Sequence, residues 1–135
     1  MPAAIARQTV LVVEDDPYLR NLYRTALTSA GYSVVAVEDG VDALRRVEDE
    51  TPSAVVLDLG LPRLNGRDVH RELQARPGTR EIPVVVVSGT DTSDLNPADF
   101  ASVLSKPVLP EAIVLAVERS LRRGPGRARG SASRC

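Results

Sequence analysis

The stretch Ala54-Val55-Val56-Leu57-Asp58-Leu59-Gly60-Leu61-Pro62 decides how this chain folds. An unbroken apolar run ends on a carboxylate, and Gly60, Pro62 and Asn65-Gly66 then supply turn chemistry. A short apolar run bounded by turn residues suits a strand buried on both faces of a parallel sheet. Asp58 then stands at the carboxyl end of that strand, where open α/β sheets bind their ligands. It is the candidate reactive residue.

Working outward, the same pattern recurs. Thr9–Val13 reads as a first buried strand ending in Glu14-Asp15-Asp16, and Asp16-Pro17 is a helix start, acid at the cap and proline at the first helical position. Leu19, Leu22, Tyr23, Ala26, Leu27 and Ala30 follow at helical spacing, and Gly31 closes that helix. Ser33–Val37 is β-branched and reads as strand two. Asp39-Gly40 reads as a turn before a second helix, with Ala43, Leu44 and Val47 inward, which Pro52 ends. Strand three covers Ser53–Asp58 and helix three Arg67–Ala75, the latter stopped by Pro77-Gly78.

Ile82–Val87 predicts strand four, with Pro83 near its start, where a missing donor is tolerated. Residues 89–100 are poor in apolar side chains, and Asn96-Pro97 allows only a short helix over Pro97–Phe100. Ala101–Leu104 reads as strand five, and Pro110 opens a last helix with Ile113, Val114, Val117 and Leu121 inward. Five strands alternating with five helices imply one α/β domain with a parallel sheet covered on both sides. It spans residues 9–122, between a disordered lead, 1–8, and a disordered tail of Arg, Gly and Ser, 123–135.

Composition narrows the function. The 135 residues contain no tryptophan, and the one cysteine, Cys135, cannot form an internal disulfide, so a reduced, cytoplasmic setting is expected. No run is long enough to span a membrane. Five of the seventeen basic residues fall in 122–135, leaving twelve against eighteen acids in 1–121. An acidic body of this kind does not suit a nucleic-acid reader. The arginine tail lacks the interleaved aromatics of a single-strand binder. His70, on the polar side of helix three, reads as a surface residue.

Four polar features follow strand ends: Glu14-Asp15-Asp16, Asp58, Ser88 and Lys106. In a parallel sheet all project from one edge. Taken singly, the acids could cap a helix or open a turn, Ser88 could be a small strand-end residue, and Lys106 a solvated charge. Together they form a set. Crowded carboxylates raise one another's pKa values unless a cation binds, and a hard divalent ion such as Mg²⁺ suits oxygen ligands. Lys106 is the sole lysine beside sixteen arginines. Its compact charge suits a phosphoryl oxygen where arginine would offer a planar fork.

These motifs, in this order, resemble the receiver domain of bacterial two-component response regulators, over roughly residues 8–122. The resemblance rests on Glu14-Asp15-Asp16-Pro17, on Asp58-Leu59-Gly60-Leu61-Pro62 with Asn65-Gly66, on Ser88-Gly89, and on Lys106-Pro107. It implies a doubly wound, flavodoxin-like sheet in the order 2-1-3-4-5. It also implies that Asp58 accepts a phosphoryl group from a histidine kinase or histidine phosphotransfer protein. Asp15 and Asp58 would bind Mg²⁺ directly, Glu14 through water, and Gly60 by its carbonyl. Ser88 would hydrogen-bond one phosphoryl oxygen and Lys106 would pair with another, with Lys106-Pro107 cis. The expected product is a stand-alone, monomeric signalling module with a protein target downstream, catalysing only its own phosphotransfer and dephosphorylation.

The chain departs from the resemblance where the family switches. Val103 stands where an aromatic is usual, Val108 where phenylalanine is common, and the Ser88–Lys106 span is short by about one helical turn, ~4 residues. A short fourth helix and signalling through residues 89–100 are therefore expected. Other readings are a receiver-like interaction domain that is never phosphorylated, an aspartate-nucleophile phosphohydrolase and a flavodoxin-like cofactor binder. The hydrolase wants a second acid at position 60, which is glycine; the cofactor site wants a hydroxyl- and glycine-rich loop where Glu14-Asp15-Asp16 would repel phosphate.

Overall fold

The structure, a computed structural model, describes residues 7–123. Five parallel strands form one sheet in the order β2-β1-β3-β4-β5. They are β1 (Thr9–Val13), β2 (Ser33–Val37), β3 (Ala54–Asp58), β4 (Val84–Ser88) and β5 (Ser102–Ser105). The helices are α1 (Pro17–Ser29), α2 (Gly40–Asp49), α3 (Gly66–Ala75) and α4 (Pro110–Arg123). The chain leaves β1 for the β2 edge and then returns to lay β3 on β1's other side. That reversal opens a crevice at the carboxyl ends of β1 and β3, beside Glu14-Asp15 and Asp58.

The strands explain themselves by alternation. Leu11, Val13, Val55, Leu57, Val84 and Val86 bury one face under Ala43 and Val47 of α2 and Val69 and Leu73 of α3. Val10, Val12, Ala54, Val56, Val85 and Val87 bury the other under Tyr23 and Leu27 of α1 and Ile113, Ala116 and Val117 of α4. Each such valine removed from water contributes about 1.5 kcal/mol. Because β3 and β4 are covered on both faces, their runs read as continuously apolar rather than alternating.

Some details differ from the sequence reading. The fourth of the expected helices, the short one over Pro97–Phe100, is a single 3-10 turn, Pro97–Asp99. Residues 89–96 are too polar to offer a helix an apolar stripe, so only the Asn96 cap and Pro97 act, and they end within three residues. Asp39-Gly40 is a helix start and not a separate turn: the Asp39 carboxylate accepts from the N–H of Asp42 at 2.8 Å. Asn65-Gly66 likewise caps and opens α3, Asn65 accepting from the N–H of Asp68 at 3.0 Å. Of the expected tail, Arg123 is the last residue of α4; the rest of it, and residues 1–6 of the expected lead, lie outside the described residues.

Candidate functional site

The site forms where β1, β3, β4 and β5 end. Glu14 follows β1 and is 2% exposed; its N–H donates to Val37 O at 3.1 Å, extending the β1–β2 ladder by one residue. Its carboxylate accepts from the N–H of Asp16 through Oε2 at 3.2 Å. Asp16 in turn caps α1, accepting from Tyr18 and Leu19. The acidic run therefore divides its labour: Asp16 serves the helix, which frees Glu14 and Asp15 to face the crevice.

Asp58 closes β3 and is 6% exposed. Its Oδ1 accepts from the N–H of Gly60 at 3.3 Å, so Gly60 joins the site through its backbone. One carboxylate oxygen each from Glu14, Asp15 and Asp58 lies within 4.8 Å of the others. Lys106 reaches this cluster from beyond β5, its own N–H donating to Ser88 O at 2.8 Å. Its Nζ stands 2.9 Å from Glu14 Oε1 and 3.7 Å from Asp58 Oδ2. The peptide bond that follows, Lys106–Pro107, is cis.

Charge decides the character of the site. The Glu14 contact is an ion pair without a well-aligned hydrogen bond: no hydrogen bond reaches Glu14 Oε1. Burial pushes the Glu14 carboxyl above the usual range, and the Asp58 charge adds to this, against the opposing pull of Lys106. For Lys106, burial alone would lower the ammonium pKa, but the two carboxylates outweigh it and hold it above its ordinary value. One lysine thus faces three acids, one of them with an under-bonded buried oxygen. That donor set suits a hard divalent cation.

Ser88 ends β4 next to this group but is engaged elsewhere. Its Oγ accepts from the N–H of Thr90 at 3.1 Å and shares a hydrogen bond with the Thr90 hydroxyl at 2.9 Å. Residues beyond it are strapped to α3. Arg67 grips Asp94 with two hydrogen bonds, at 2.8 and 2.7 Å, and donates to Asp91 O at 3.0 Å. Phe100 tucks under the same helix, its ring centroid 4.3 Å from that of His70. His70 is therefore half-buried with its ring against that of Phe100, not a surface residue.

A second anchor lies beneath the loop after β3. Arg63, at φ +64°, holds the buried Asp39 carboxylate through Nε and Nη2 at 3.0 and 2.7 Å. Its partner also caps α2, so one acid ties this loop to that helix. Sequence reasoning missed Thr90, Arg67 and Arg63, the two arginines because their roles depend on contacts across loops. Only Thr90 left a local signal, a hydroxyl two residues after another.

The match to known proteins agrees with this geometry. Residues 10–118 match the model of the response regulator receiver domain. The DNA-binding response regulator MtrA of Mycolicibacterium smegmatis is 38% identical over 123 residues, 87% of this chain and 52% of that protein. The response regulator MprA of Mycobacterium sp. (strain KMS) is 35% identical over 118 residues, 84% of this chain and 50% of its own length. This chain thus spans about half the length of these relatives. Among solved structures, a sensor protein from Polaromonas sp. JS666 superposes with a TM-score of 0.80 at 27% identity, covering 87% of this chain and 98% of that one. The receiver domain of a sensor histidine kinase from Pseudomonas aeruginosa PAO1, with magnesium coordinated in its active site cleft, gives 0.74 at 28%, covering 84% and 97%. With its strand order, its acids at the sheet's carboxyl edge and its matched span in accord, the chain belongs to the response regulator receiver domain family.

Proposed function

We propose that this protein is a phosphorylation-switched signalling module in which Asp58 is the phosphoacceptor. The observation that carries the reading is the buried Asp58 carboxylate, set among Glu14, Asp15 and Lys106 at the end of β3. The donor is a phosphohistidine on a histidine kinase or phosphotransfer protein, and the setting is cytoplasmic. Asp58 attacks the phosphorus; an O–P bond forms as the P–N bond breaks, and the released imidazole nitrogen keeps the electron pair and takes a proton. Asp15 and Asp58 would hold Mg²⁺ directly, with Glu14 through water and the Gly60 carbonyl. The ion, when bound, offsets charge on the phosphoryl oxygens. The magnesium seen in the Pseudomonas aeruginosa receiver domain supports that choice.

Lys106 turns from the apo acids to a phosphoryl oxygen, and Ser88 donates to another. Turning the Ser88 hydroxyl hydrogen to the phosphoryl group re-forms its bonding to Thr90, which loosens the segment 89–100. The strap held by Arg67 and His70 is thus the output element, its target another protein. A hydrolase acting on small phosphate esters is disfavoured by glycine at position 60, where its second acid would stand. Hydrogen exchange with and without a phosphoryl analogue (beryllium fluoride with Mg²⁺) tests the switch. Altered exchange across 89–100, absent in Asp58→Asn, is expected; equal exchange in both states contradicts it.

A further inference from the structure

Arg20 stands one helical turn beyond the Asp16 cap, and its guanidinium points back at the acidic turn. Nη1 donates to the carbonyl oxygen of Glu14 at 3.0 Å and of Asp15 at 3.3 Å. Both carbonyls fall between the end of β1 and the start of α1, and among the described residues no backbone hydrogen bond reaches either. Left alone they would be the loose joint of the site. We propose that Arg20 is a positioning residue that sets the Asp15 carboxylate for a divalent cation; this rests on the magnesium reading above.

The two acids differ in how much they need it. Glu14 is buried and held by its own N–H, by Asp16 and by Lys106. Asp15 is exposed, and its carboxylate makes no hydrogen bond or ion pair among the described residues. Only its backbone fixes where that carboxylate points, and the Asp15 carbonyl is anchored by Arg20. Side-chain direction follows backbone direction, so a freed turn presents Asp15 over a wider range of positions and the bound ion must order it. Groups that orient metal ligands from behind change affinity by about 10-fold or more when removed.

The same guanidinium is also a positive charge near an incoming cation, an effect of opposite sign. Geometry outweighs charge here because the guanidinium is engaged by the two carbonyl oxygens and makes no ion pair with the Glu14 or Asp15 carboxylate among the described residues. Two variants separate the effects. Arg20→Lys keeps the charge but replaces the planar fork by a point donor, and Arg20→Met removes both.

Calorimetric titration of the full chain with Mg²⁺, alongside urea unfolding without metal, is the test. Arg20→Met is expected to bind Mg²⁺ about 10-fold more weakly, and Arg20→Lys to recover less than half of that loss, at near wild-type apo stability. Wild-type affinity in either variant overturns the proposal, and so does tighter binding by Arg20→Met, which would leave Arg20 a mere charge. A loss of affinity matched by unfolding of the metal-free variants overturns it too. A wild-type chain that does not bind Mg²⁺ overturns the magnesium reading itself, and the role of Arg20 with it.

Discussion

At the residue scale, each charged side chain at the carboxyl edge has one structural task or one chemical task. Asp16 caps α1 and Asp39 caps α2, whereas Glu14, Asp15 and Asp58 gather at one point and Lys106 pairs with Glu14 and Asp58. Asp39 shows how the structural acids respond to pH. Burial would raise its pKa, but the Asp42 N–H and the Arg63 guanidinium prevail and hold it below the usual carboxylate range. A carboxylate depressed in the folded state stabilises it above the unfolded pKa of about 3.9 and loses that contribution as pH falls through the folded value. An asparagine side chain would still cap α2, so Asp39→Asn isolates the ion pair. With Arg63 half-exposed, the variant should be less stable by about 0.5 kcal/mol at pH 7. Urea unfolding should show the gap closing below about pH 4; a gap constant with pH would contradict the assignment.

At the element scale, the site depends on how closely α3 approaches the end of β3. A Cβ at Gly66 would sit 2.6 Å from Leu59 Cα and closer still to the Asp58 carbonyl oxygen, whereas one at Gly60 would meet nothing within 4 Å. Gly66→Ala should therefore cost about 2 kcal/mol and slow phosphorylation by displacing Asp58. Gly60→Ala should leave stability within about 0.5 kcal/mol. Thermal unfolding of the two variants side by side checks this, and an equal cost would contradict it. These positions also mark the limit of legibility. Asn65-Gly66 advertises a bend in any sequence, but that glycine serves close packing of helix on strand is visible only in three dimensions. The polar run 89–96 is plainer: without an apolar stripe it cannot be a packed helix, and the sequence already points to a short fourth helix. How it is held, by Arg67 on Asp94 and Phe100 on His70, is a matter of contacts more than twenty residues apart.

At the scale of the whole molecule, the sheet does most of the explaining. Short apolar runs, broken by turn residues, specify parallel strands, and their order puts β1 and β3 side by side with their acids at one edge. That part was readable because burial on both faces leaves an unmistakable pattern and because every strand that feeds the site is followed by its polar residue. The arginines that set loops against helices were not, since an exposed arginine looks the same whether it grips a partner or water. The central claim is that this edge makes Asp58 a phosphoacceptor. The most direct measurement is intact mass after incubation with acetyl phosphate, with and without Mg²⁺, for the wild type and Asp58→Asn. A single Mg²⁺-dependent phosphoryl adduct, absent from the variant, is predicted. No adduct under conditions that label a known receiver, or an equal adduct on Asp58→Asn, would contradict it.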